Sequence, residues 1–154
     1  MSHRTFLDQV GKIADDPTKA LDMTLAHLRV ETGTVHQLGS DGSLHLKAWA
    51  GGIPEPLLDV IRTIPVGKGI AGLAVERKKP VNLCNLQTDQ SGDVRPRARE
   101  TGAQGSICVP MMTDEDRPVG ALGIATQQER DFTDDEIEVL MQVGRLLASR
   151  TETG

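Results

Sequence analysis

Aromatic residues are almost missing: Phe6, Trp49 and Phe132 make up 2% of the 154-residue chain, and there is no tyrosine. Single-stranded nucleic acid is held on exposed rings that stack with its bases, so this composition excludes such a platform. A basic excess is missing too. Lys and Arg number 17 against 22 Asp and Glu, a net charge of −5, the wrong sign for binding nucleic-acid phosphates. Cys84 and Cys108 are the two cysteines, too few for a disulfide framework and suited to a reducing cytoplasm. No apolar run approaches the ~20 residues that cross a bilayer, which argues against a membrane partner. The opening MSHRTFLDQVGKI carries Asp8 and lacks the apolar centre of a secretory signal. What is left is a mildly acidic cytoplasmic chain, read as one domain over residues 1–154 with 38% hydrophobic residues, enough to build a core.

What is present reads as a mixed α and β order. Phe6, Val10 and Ile13 fall at helical spacing, and Asp16–Pro17 opens a second helix whose apolar face is Leu21, Leu25 and Leu28. Gly33 is placed to end it. Thr34–Leu38 and Leu44–Ala50 read as strands around Asp41–Gly42, a hairpin turn. Alternation puts Val35, Leu44, Leu46 and Ala48 on the core side, and Thr34, His36, Leu38, His45, Lys47 and Trp49 on the other. A short helix is predicted at Pro54–Thr63, another at Ile70–Arg77 and a short strand at Val81–Leu83. Asn85–Gln104 is a long polar connection with a helical turn near Arg97–Thr101. A second hairpin joins Ser106–Met112 to Pro118–Thr126. Its large side chains Ile107, Val109, Leu122 and Ile124 share one face, while Ser106, Cys108, Ala121, Gly123 and Ala125 leave room on the other. Thr133 and Glu136 form a capping box at the start of the last helix, with Phe132 and Ile137 as a staple. That helix carries two apolar stripes, so Val139, Val143 and Leu146, with Phe6 and Val10, are expected at a dimer contact.

Gly67, Gly69 and Gly72 spell GxGxxG, the fingerprint of a dinucleotide-binding turn. That use needs a strand before it, a long helix after it and a parallel strand beyond. Pro65 interrupts the first, Pro80 stops the second, and the remaining strands come as hairpins and hence antiparallel. The glycines are therefore read as a tight turn that delivers a short helix onto a sheet.

Three blocks in order, IPVGKGIAGLAVERKKPVNL, SICVPMMTDEDRPVGALGIAT and DFTDDEIEVLMQVGRLLA, resemble those of a GAF domain over about residues 5–150. The resemblance implies an α+β fold: a GAF/PAS-like antiparallel sheet of five or six strands, N- and C-terminal helices on one face and a ligand pocket on the other. It also implies a regulatory module that senses an unknown small molecule and signals through a homodimer or a separate signalling protein. Carried onto this sequence, the pocket takes Ile70 and Leu73 from the short helix, Ser106, Cys108, Ala121 and Gly123 from the strands, and Trp49 from the first hairpin. Arg95 and Arg99 on the long connection would favour an anionic ligand; the alternative is a solvated charged loop.

Subtypes of the family are separable by letters. No counterpart of the cyclic-nucleotide set occurs. Cys84 is followed by Asn85 and Cys108 by Val109, unlike pigment-bearing cysteines, which are often followed by histidine. His36 and His45 lack a third ligand for a metal or haem, so the cofactor is unassigned. The enzymatic alternative in the family is free methionine-(R)-sulfoxide reductase, whose glycine turn has the form GxGxCG. Ala71 stands at that position here, and no cysteine falls near Arg95–Glu100. The expectation is therefore a sensor, not an enzyme. With no further domain after the last helix, its output is expected to leave through partners. A pure interaction domain without a ligand is the third reading.

Overall fold

The computed structural model describes residues 1–83 and 104–151. Five helices and six strands follow in the order α1 His3–Ile13, α2 Pro17–Leu28, β1 Thr32–Leu38, β2 Ser43–Ala50, α3 Glu55–Ile61, β3 Thr63–Pro65, α4 Gly69–Arg77, β4 Val81–Leu83, β5 Gly105–Met112, β6 Pro118–Thr126 and α5 Asp134–Ser149. The strands form one sheet in the order β3-β2-β1-β6-β5-β4, with every neighbouring pair antiparallel. Cys84, Arg95, Arg99 and the helical turn expected near Arg97–Thr101 lie outside the described residues.

Local chemistry sets the helix ends. Asp16 caps α2 by accepting from the Lys19 N–H, with Pro17 in the first turn. At α5, the Thr133 hydroxyl accepts from the Glu136 N–H while the Glu136 carboxylate accepts from the Thr133 N–H. Arg130 pairs with that same carboxylate. Gly33, however, does not end α2. Arg29 does, in the left-handed conformation at φ 58°. Gly33 lies within β1 under the helix, where a Cβ would come 2.8 Å from Leu21 Cδ1 and 2.9 Å from Leu25 Cδ2. Its small size serves the packing of helix on sheet.

α1, α2 and α5 cover one face of the sheet. Their core joins Phe6, Val10, Leu21, Leu25, Leu140 and Val143 to Val35, Ile107, Val109, Leu122 and Ile124. Phe6, Val10, Val139 and Val143 are all nearly sealed, which corrects their assignment to a dimer contact: these positions are covered inside the chain by the sheet and the neighbouring helices, while Leu146 stays half-buried. α4 packs on the opposite face with a second cluster that includes Leu44, Ile64, Ala71, Ala74, Val75, Cys108 and Ala121.

Leu44 stands there, and not with Val35, because of a bulge. Val35 pairs with Ala48 but His36 pairs with Leu46, so Lys47 is an extra residue in β2. One inserted residue exchanges the faces of everything before it in the strand. Leu44 and Leu46 move to the α4 side, while His45, opposite Gln37, moves to the helix side. No helix among the described residues is long and apolar enough to cross a membrane.

Candidate functional site

The glycine turn is built for chain geometry. Gly67 and Gly69 take positive φ values of 89° and 64°, where other residues are strained. Gly72 must be small because a Cβ there would lie 2.5 Å from the Pro65 carbonyl oxygen. Three amides of the turn already donate within it: Gly67 N–H to Gly72 O, Lys68 N–H to Pro65 O and Gly72 N–H to Lys68 O, at 3.0–3.1 Å. They are engaged with the chain itself and do not point at a phosphate. A three-residue strand, β3, does precede the turn, but it runs antiparallel to β2, so the dinucleotide arrangement is absent.

On the α4 face, paired residues align into rows that cross the sheet. One row runs Val81, Cys108, Gly123, Thr34, Trp49. A Cβ at Gly123 would lie 2.8 Å from Cys108 Sγ and 3.3 Å from Thr34 Oγ1, which fixes both side chains on this face. The flanking rows are Leu83, Ser106, Ala125, Thr32 and Pro110, Ala121, His36, Leu46. Small and hydroxyl-bearing side chains thus fill the middle of the face. α4 closes it over β5 and β6, and Cys108, Ala121 and Ser106 are buried there. Towards β2 the cover ends: Thr34 is half-buried, and Trp49 is 45% exposed, one of two exposed large hydrophobic residues among those described.

The structure therefore brings Trp49, Ser106, Cys108, Ala121 and Gly123 onto one face. Ile70 and Leu73, half-buried on α4, pack against the cluster beneath it. Ser106 is already engaged, its hydroxyl donating to the Ile124 carbonyl at 3.4 Å. Cys108 is a poor nucleophile, since burial pushes its thiol up to about 12 and the thiolate is the reactive form.

His36 emerges as a residue that sequence reasoning undervalued. Expected on the non-core face of the first hairpin, it is only 2% exposed. Its Nε2 lies 2.8 Å from the Ile61 carbonyl oxygen. A carbonyl can only accept, so Nε2 carries the hydrogen and Nδ1 presents a lone pair. That Nδ1 is buried without a partner among the described residues, and burial holds the imidazole below its usual range despite the Ile61 hydrogen bond. The bulge leaves His45 on the opposite face, bonded to Asp41 at 3.0 Å.

The GAF domain family profile matches residues 14–150. The chain belongs to the GAF domain family. No curated protein sequence matches it. Among solved structures it is similar to the GAF domain of an Acinetobacter phosphoenolpyruvate-protein phosphotransferase, with TM-score 0.78, 19% identity and coverage of 97% of this chain and 94% of that one. It is equally similar to a free methionine-R-sulfoxide reductase from Neisseria meningitidis in complex with its substrate, at TM-score 0.78, 17% identity and 96% and 87% coverage. A Staphylococcus aureus fRMsr in reduced form matches at TM-score 0.71, 20% identity and 97% and 94% coverage. Such identities establish a shared fold. They also correct the expectation that this chain is not an enzyme, because the same fold carries reductases and regulatory domains alike.

Proposed function

We propose that the chain is a regulatory module that binds a small molecule on the α4 face of its sheet and passes the event to a partner. The observation that supports this is the row ending at Trp49: a large ring left open beside Thr34 and Gly123, at the edge of a face lined by small residues. An open aromatic surface next to hydroxyls and an uncovered sheet gives a ligand apolar contact and polar orientation together. Arg95 and Arg99, on the segment that follows β4, are proposed to hold an anionic group of that ligand. The cytoplasm is the proposed location. Output is proposed through a homodimer or a separate signalling protein on the outer sides of α1 and α5, where Leu7, Ile13, Met141 and Leu146 remain half-buried. A ligand acts by favouring one of two states of this assembly.

Trp49 is the chain's single tryptophan, so its emission reports directly on the site. Native mass spectrometry of freshly purified protein should reveal a co-purifying small molecule. Adding that molecule back to stripped protein should shift the Trp49 emission to shorter wavelength with saturation. An emission that stays constant while the molecule binds refutes the site. Thioredoxin-coupled NADPH oxidation with free methionine sulfoxide distinguishes the other family activity: turnover replaces sensing by reduction.

A further inference from the structure

Two histidines far apart in the chain face each other across the first two helices. His3 stands in the first turn of α1 and His27 in the last turn of α2. Their nitrogens, His3 Nδ1 and His27 Nε2, are 2.8 Å apart, and the ring planes make an angle of 76°. Phe6 holds the second ring in place. It stacks on His27 at 4.0 Å between centres with the planes 7° apart, and is itself sealed in the core. His27 is thus half-buried and fixed by packing, while His3 is exposed and has room to turn.

Between neutral rings this contact is a hydrogen bond, one nitrogen donating and the other accepting. A metal ion needs both facing nitrogens as lone pairs, which the donating ring provides by carrying its hydrogen on the far nitrogen. Zinc–nitrogen bonds at a tetrahedral angle would set the two nitrogens about 3.3 Å apart, so a small swing of the exposed His3 ring makes room for the ion. His27 is held in the right form. Burial, then the charges of His3 and of the amino terminus, keep its imidazole below the ordinary range, and it is the neutral ring that binds metal. No group of three metal-ligating side chains occurs among the described residues. Water would fill the remaining positions, which makes this an open surface site and not a closed structural one.

We propose that His3 and His27 form a two-histidine site for a divalent transition-metal ion of the zinc class, bridging α1 to α2. Imidazole suits such ions. An ion bound to the folded chain alone stabilises it by linkage, here by tying together two helices whose ligands lie 24 residues apart.

The test uses the full chain without a histidine tag, freed of metal by a chelator, with Zn²⁺ as the probe. Calorimetric titration should show saturable binding. His3→Ala and His27→Phe should each weaken it; the second keeps a ring on Phe6 without the nitrogen. Each loss should be no smaller than the ~10–100-fold that removing an outer-shell partner costs a metal site. With the imidazole nitrogens labelled, the His3 and His27 signals should move on saturation, and those of His36 and His45 should stay. Zn²⁺ at about a hundred times its Kd should raise the urea midpoint more in the parent chain than in His3→Ala. The proposal fails if Zn²⁺ does not saturate, if His36 or His45 responds in place of the pair, or if the parent and His3→Ala midpoints rise equally. A loss confined to either variant alone also overturns it, since in the case of His3→Ala the ion would then belong to the amino terminus and not to a bridge between helices.

Discussion

Burying His36 as a neutral imidazole makes folding sensitive to pH. In the unfolded chain the ring takes up a proton near its ordinary value of about 6.5; in the folded chain burial holds that value lower. Above it neither state is charged, and stability is full. As pH falls below it, the unfolded state binds the proton first and gains, until folded His36 protonates too. His27 acts in the same direction, held low by burial, then by His3 and the amino terminus. It stacks on Phe6 at 4.0 Å between ring centres and meets His3 at 2.8 Å, so its protonation loosens α1. Glu136 works in a lower window. Burial raises its carboxyl, but the Thr133 N–H and Arg130 outweigh that and leave it lowered, so its contribution is lost only in acid. Urea denaturation should therefore show a falling midpoint between about pH 7.5 and about pH 5. His36→Gln should flatten that slope, and a midpoint constant over the range would contradict the argument.

At the scale of elements, the glycine turn gives the sharpest contrast. Gly72→Ala drives a Cβ to 2.5 Å from the Pro65 carbonyl oxygen, a backbone atom that cannot swing aside. Moving β3 or α4 to relieve it should cost about 1–3 kcal/mol. Gly52→Ala meets nothing within 4 Å and should stay within about 0.5 kcal/mol. Chemical denaturation of the pair reads the difference directly; equal effects would mean that the turn yields. The elements legible in the sequence were those whose signals are local. Asp16–Pro17, the Thr133–Glu136 box and the Asp41–Gly42 turn each satisfy or bend backbone within a few residues of themselves. The β5–β6 faces followed from unbroken alternation. The β2 faces did not, because one extra residue at Lys47 carries no letter of its own and is set by pairing with β1. Gly33 misled for a similar reason: the helix that demands its smallness lies earlier in the chain and meets it only after folding. β3 is three residues long and ends in proline, too little to register as a period. Of the candidate site, the small-residue face was readable. The openness of Trp49 and the sealed lone pair of His36, whose Nε2 meets the last residue of α3, depend on what folding brings over β1 and β2, and no pattern in those strands encodes that.

For the whole molecule, four of the five residues expected to meet a second copy, Phe6, Val10, Val139 and Val143, are already covered within the chain. Val143 is fully buried between α5 and the sheet, so Val143→Ala should lower stability by roughly 2 kcal/mol through cavity formation. That loss should be the same at every protein concentration, since it comes from within one chain. Leu146 differs. It is half-buried, and its Cδ2 stands 3.8 Å from where a Cβ on Gly11 would be, at the outer seam of α1 and α5. If that seam is the output surface, Leu146→Glu places a charge in the contact while removing little from the core. Light scattering at micromolar concentration should then report a dimer for the parent chain and a monomer for Leu146→Glu, with unfolding midpoints close to each other at low concentration. A parent chain that scatters as a monomer removes the homodimer route and leaves a different protein as the receiver. A Leu146→Glu variant that still dimerises moves the contact elsewhere, onto surfaces that α1 and α5 do not share. Either result bears on the proposed route from Trp49, because among the described residues the sheet lies between the α4-side cluster and the core of the terminal helices. Val109, Leu122 and Val35, next along the strands to the Cys108–Gly123–Thr34 row, pair into the adjoining row and belong to the core beneath the helices on the far side. A Trp49 ligand that reaches the seam should therefore change the dimer's light-scattering midpoint, and one that leaves it unchanged would not act by this route.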